Sequence, residues 1–133
     1  MSPKYFPPFQ LGNQTRGYQR KYIQEYITYV DNIQLEISTV SEIRFNKYNP
    51  GTEMNPHIDH IRHLDSKQPG LVPILSMVGL LNDDFIGGEF LLCGNEIGLK
   101  KNSLLVWPSN FMYPREVTEC TKGTRYSFVS WAY

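Results

Sequence analysis

Beyond Ile43 the chain is broken at short intervals by residues that turn a backbone, at Asn49-Pro50-Gly51, Asn82-Asp83-Asp84, Gly94-Asn95 and Lys122-Gly123. Between these breaks lie runs rich in β-branched and aromatic side chains, at 43–48, 72–81, 88–92, 97–99, 103–107, 116–120 and 125–131. Gly and Pro stop a helix, whereas branched and aromatic side chains suit the pleated surface of a sheet, so these runs predict strands. Upstream, Tyr22, Ile23, Tyr26, Ile27, Val30 and Ile33 form the one long stripe of helical period and predict a helix over 18–33. Many short strands and one amphipathic helix fit a mainly β fold, a jelly roll or sandwich with the N-terminal helix packed on one face. The whole of 1–133 reads as a single domain, with 1–17 a loose N-terminal arm.

Thirteen basic and thirteen acidic residues cancel, and an isoelectric point near 6.8 gives no reason to expect a nucleic-acid partner. Two cysteines, Cys93 and Cys120, are too few for a disulfide scaffold and fit a reducing compartment. The opening Met1-Ser2-Pro3-Lys4-Tyr5-Phe6-Pro7-Pro8 has no apolar signal segment, and no stretch reaches the roughly 18 apolar residues that span a bilayer. A soluble, cytoplasmic protein with no membrane partner is the expectation.

The three histidines, His57, His60 and His63, fall within seven residues. In His57-Ile58-Asp59 an extended backbone turns residues i and i+2 to the same side, so one imidazole and one carboxylate can converge on a single ion. Such a pair supplies two donors of the three-ligand facial set of ferrous centres. Alone, the tripeptide more often describes a solvated His–Asp pair. His60 should point away from Asp59 as a structural or surface residue, and His63 lies in a polar loop, 61–70, where a solvated side chain is the default.

The surrounding residues resemble the iron(II)- and 2-oxoglutarate-dependent dioxygenases, in their prolyl 4-hydroxylase-like branch. The likeness runs in order through Arg44-Phe45-Asn46-Lys47-Tyr48-Asn49-Pro50-Gly51, His57-Ile58-Asp59-His60, Leu75-Ser76-Met77-Val78-Gly79-Leu80-Leu81-Asn82, Gly87-Gly88-Glu89-Phe90, Leu105-Val106-Trp107-Pro108 and Gly123-Thr124-Arg125-Tyr126-Ser127-Phe128-Val129-Ser130-Trp131. It implies a double-stranded β-helix, a jelly roll whose open end holds iron. It also implies that His57 and Asp59 are metal ligands and that Arg125 grips the distal carboxylate of 2-oxoglutarate through its guanidinium fork. Tyr48 and Ser127 would bind the same cosubstrate, Trp131 would line the pocket, and the loop 61–70 would form a lid on the substrate side. The implied activity is hydroxylation, with Fe(II), 2-oxoglutarate as cosubstrate and ascorbate as reductant. Its prime substrate would be a prolyl peptide or protein, or a small molecule. A standalone chain this short fits a bacterial or viral oxygenase.

The likeness fails at one place. The branch carries its third iron ligand, a histidine, ten residues before the arginine that Arg125 matches, and that position here is Arg115. No histidine follows His63, so no shift of the alignment restores it. A guanidinium keeps its proton, has no lone pair for a metal, and repels a cation. Four arrangements remain open. Arg115 turns outward and iron is held by His57, Asp59 and the cosubstrate; a bulge turns Glu116 inward as a surrogate; Arg115 pairs with Asp59 in a metal-free, catalytically inactive binding module; or Arg115 is a chance or engineered replacement in an otherwise competent enzyme.

Overall fold

The computed structural model describes residues 4–6, 15–29, 36–59 and 72–133. In chain order they form β1 (Lys4–Phe6), α1 (Thr15–Tyr29), β2 (Arg44–Tyr48), β3 (Met54–His57), β4 (Leu75–Leu80), β5 (Phe85–Gly87), β6 (Phe90–Leu92), β7 (Asn95–Glu96), β8 (Leu104–Pro108), β9 (Arg115–Val117), β10 (Cys120–Gly123) and β11 (Arg125–Ala132). An antiparallel sheet in the order β1-β8-β4-β11-β2 packs on a smaller one, β3-β9-β6-β7, while β5 and β10 pair separately. This is the jelly roll with one N-terminal helix that the strand pattern predicts.

The central strands β4, β8 and β11 are covered on both faces, so their apolar residues run almost without interruption and alternation sorts them between two cores. Leu75, Met77, Leu104, Val106 and Phe128 face Tyr22, Ile23 and Tyr26 of α1. Val78, Leu105, Trp107 and Val129 point the other way, onto Phe90, Leu92 and Val117 of the smaller sheet. A Cβ on Gly79 would lie 2.2 Å from the Phe128 ring, so the absent side chain lets that ring cross β4 beneath the helix. Buried Gln19 donates from Nε2 to Ser130 Oγ at 2.5 Å and ties α1 to the sheet. On the inner face, β11 presents Arg125, Ser127, Val129 and Trp131 at two-residue steps.

β3 and β9 pair with one extra residue on β3: Met54 stands opposite Val117, yet His57 stands opposite Arg115. The bulge turns Met54 and His57 to the same interior despite their odd spacing, and it takes up Pro56, which has no N–H for a ladder.

Some boundaries differ from the sequence expectations. Part of the supposed loose arm, Lys4–Phe6, is an edge strand paired with β8. The helix begins at Thr15, and Val30 and Ile33 lie outside the described residues. Residues 97–99 are not a strand, because the chain has already turned at Cys93-Gly94, both with positive φ (54° and 75°), to pair Asn95 with Leu92. The run 116–120 is two strands, β9 and β10. His60, His63 and the expected lid also fall outside the described residues. Among those described, no helix is long and apolar enough to cross a membrane.

Candidate active site

His57 closes β3 and Asp59 follows in a bend, bringing His57 Nε2 to 3.3 Å from Asp59 Oδ1. Arg115, opposite His57 in the ladder, sets its Nε 3.2 Å from His57 Nε2 and 3.1 Å from Asp59 Oδ1. His57 Nδ1 lies 2.9 Å from the Asn55 carbonyl oxygen, which assigns the ring proton to Nδ1 and leaves the Nε2 lone pair toward Arg115. Two electron-rich atoms this close need a positive group between them, and the Arg115 Nε–H supplies it. That guanidinium is buried, 5.5 Å from the centroid of the Trp107 ring.

The second oxygen of Asp59 is equally committed. Oδ2 accepts from Ser76 Oγ at 2.6 Å and from Trp131 Nε1 at 3.0 Å, and Ser76 Oγ is 2.7 Å from Ser109 Oγ. Burial pushes the Asp59 pKa up, but the Arg115 charge and the Ser76 and Trp131 hydrogen bonds outweigh it and hold the carboxyl well below the usual range. Burial draws Arg115 down from its ordinary value, with Asp59 opposing. The group stays charged because a guanidinium does not give up its proton in proteins.

A metal ion does not fit this arrangement. His57 and Asp59 offer two donors, but the third inward position holds a fixed cation, and among the described residues no group of three or more His, Cys, Asp or Glu could hold a metal. Glu116 does not replace it. It alternates outward between buried Arg115 and Val117, and the bulge that could have turned it lies on β3 instead.

Toward the other end of the β11 row, Arg125 is buried. Its Nη1 donates to Ser127 Oγ at 2.9 Å and its guanidinium carbon lies 5.2 Å from the Tyr48 ring centroid. The Tyr48 hydroxyl donates to Met54 Sδ at 3.7 Å. Gly88, at φ +63°, makes room: a Cβ there would lie 2.8 Å from Arg125 Cδ. Arg125 Nε is buried and has no hydrogen-bond partner. The residue borders a cavity of about 120 Å³, lined by Leu80, Phe85, Phe90, Ile97 and Leu99 among others. A permanent cation with an orphaned donor is suited to a carboxylate, although Glu89 and Glu96 also border this recess.

Sequence reasoning singled out His57, Asp59, Arg115, Arg125, Tyr48, Ser127 and Trp131, and the structure gathers all of them in one interior. Trp131 does more than line it, since its indole N–H holds Asp59. Ser76, Ser109 and Trp107 were missed. The available signal was Ser76 as the one hydroxyl in the otherwise apolar strand Leu75–Leu80.

A sequence profile described as the 2OG-Fe(II) oxygenase superfamily matches residues 43–133. Among solved structures, the chain is similar to a prolyl-4-hydroxylase from Pseudomonas putida, with 22% identity and a TM-score of 0.68 over 98% of this chain and 70% of that one. It is similar to the viral collagen prolyl hydroxylase of Paramecium Bursaria Chlorella virus-1 in complex with 2OG, with 13% identity and a TM-score of 0.71 over 98% and 77% of the two chains. A prolyl hydroxylase from Trichoplax adhaerens, in complex with a hypoxia inducible factor oxygen degradation domain peptide fragment, gives 17% identity and a TM-score of 0.64 over 98% and 61%. At these identities the likeness is one of fold. No curated protein matches the chain by sequence.

Proposed function

The chain belongs to the 2OG-Fe(II) oxygenase superfamily, and on that premise we propose that it is a hydroxylase of prolyl-peptide type whose turnover is held low by Arg115. His57 and Asp59 converge as a donor pair, and Arg125, oriented by Ser127 and stacked on Tyr48, offers a carboxylate grip; both support the oxygenase side of this reading. Similar folds belong to prolyl hydroxylases, one of them bound to a peptide, which supports a peptide or protein as prime substrate. The observation that carries the reading of low turnover is the Arg115 Nε within 3.2 Å of both donors.

Freeing His57 and Asp59 for an ion means drawing a buried guanidinium off its carboxylate. Breaking a buried ion pair costs about 3–5 kcal/mol, roughly a 10²- to 10⁴-fold loss of metal affinity. Succinate release from 2-oxoglutarate, with Fe(II), ascorbate as reductant and a proline-rich peptide, tests this. Arg115→His is expected to turn over at least about tenfold faster than the natural chain, because it exchanges a cation for a donor. Equal turnover would overturn the assignment of position 115 to the metal centre. The Arg115–Asp59 ion pair favours one second reading, a binding module without turnover. A natural chain silent at saturating iron beside an active Arg115→His variant selects it.

A further inference from the structure

The barrel interior opens at one end, and the exposure of its wall shows which. Along β11 the inward residues Arg125, Ser127 and Val129 are buried and Trp131 is half-buried. Antiparallel to it, β2 sets Tyr48 opposite Arg125, Asn46 opposite Ser127 and Arg44 opposite Val129. Exposure grows along that row from buried Tyr48 through half-buried Asn46 to exposed Arg44. Alternation puts Arg44 on the inward face with Tyr48, so it stands at the mouth. Its guanidinium carbon lies 5.1 Å from the centroid of the Trp131 ring, whose Nε1–H donates to Asp59 Oδ2 at 3.0 Å. The charge of Arg44 also weighs against that of buried Arg115. His57 meets solvent here with 19% of its side chain, against 5% for Asp59, so a substrate reaching this pair passes beside Arg44.

Among the described residues no carboxylate forms an ion pair with Arg44. Asp59, one ring away, has both oxygens committed to Arg115, Ser76 and Trp131. A ring face steadies a guanidinium but does not occupy the planar edge with which it grips a carboxylate as a fork. We propose that Arg44 is a specificity residue for the prime substrate, taking a carboxylate that the peptide carries within a few residues of its target proline. The substrate class is then an acidic prolyl peptide, an inference that rests on the reading of the chain as a hydroxylase of prolyl-peptide type. An Asp or Glu side chain and a free C-terminus offer Arg44 the same two oxygens.

Calorimetric titration of proline-rich peptides with amidated ends into the full chain tests this. Each peptide carries one glutamate, moved a single position at a time away from the central proline, and is compared with its glutamine counterpart. One further peptide has a free C-terminus as its sole carboxylate. In the natural chain the carboxylate is expected to tighten binding about three- to tenfold at its best position, and the peptide that shows this identifies its source as side chain or chain end. Arg44→Gln is expected to erase the difference. Arg44→Glu is expected to prefer lysine at the same position, a gain that misfolding does not produce. Equal affinity with and without the carboxylate, or a preference that survives Arg44→Gln, would overturn the inference and leave the prolyl-peptide reading intact. Failure of every peptide to bind would overturn that reading, and the inference with it.

Discussion

Asp59 takes Arg115 on one oxygen, beside His57, and Ser76 and Trp131 on the other, and it is the residue on which the site converges. Folding lowers its pKa. A lowered carboxylate contributes stability that is fully present above its unfolded value, near ~4, and is lost as pH falls from there toward the folded value. Urea midpoints should therefore be insensitive to this group near neutrality and fall below about pH 4, and Asp59→Asn should flatten that fall. An equal acid loss in the variant would assign it to other carboxylates. Asp59→Ala leaves a buried arginine without its counter-charge and is expected to lower stability by about 3–5 kcal/mol. Adding Arg115→Met should restore part of that loss, a coupling that a double-mutant cycle reads directly. That His57, Asp59 and Arg125 share one interior was legible in the sequence because motif order carries them. The direction taken by Arg115 was not, since alternation alone allowed both an outward turn and a pair with Asp59, and only the register opposite His57 decides.

Elements were legible where a strand is covered on both faces and obscured where the backbone is irregular. β4, β8 and β11 stand out as apolar runs because two cores compete for their side chains. β3 is missing from the predicted strands because Met54-Asn55-Pro56-His57 has no β-branched or aromatic residue and carries a proline, which the bulge places where a ladder hydrogen bond is already missing. β5 is only Phe85–Gly87, too short for alternation to register. The seat of Phe128 over β4 gives a prediction at this scale. Gly79→Ala brings a Cβ into a ring that the surrounding core holds in place, and it should destabilise by about 1–3 kcal/mol in urea unfolding. Phe128→Leu in the same chain should recover part of the loss. Additive costs would mean that the ring moves aside freely and that Gly79 has another purpose.

Across the whole molecule, β11 joins β2 to β4 inside the large sheet and follows both of them in chain order. Neither neighbour completes its hydrogen bonds until it arrives, and such non-local pairing folds slowly, in the range of about milliseconds to seconds. A chain ending at Thr124 should show no cooperative thermal transition; retention of one would show that the remaining strands and α1 form a self-sufficient core. The same strand carries Arg125, Ser127, Val129 and Trp131 inward on a rigid backbone, at steps of about 6.6–6.8 Å. That spacing works as a ruler. Under the proposed carboxylate grip at Arg125, a ligand would be graded by how far its other end reaches along the row toward Trp131 and Asp59, so that length would sort molecules that charge alone would admit together.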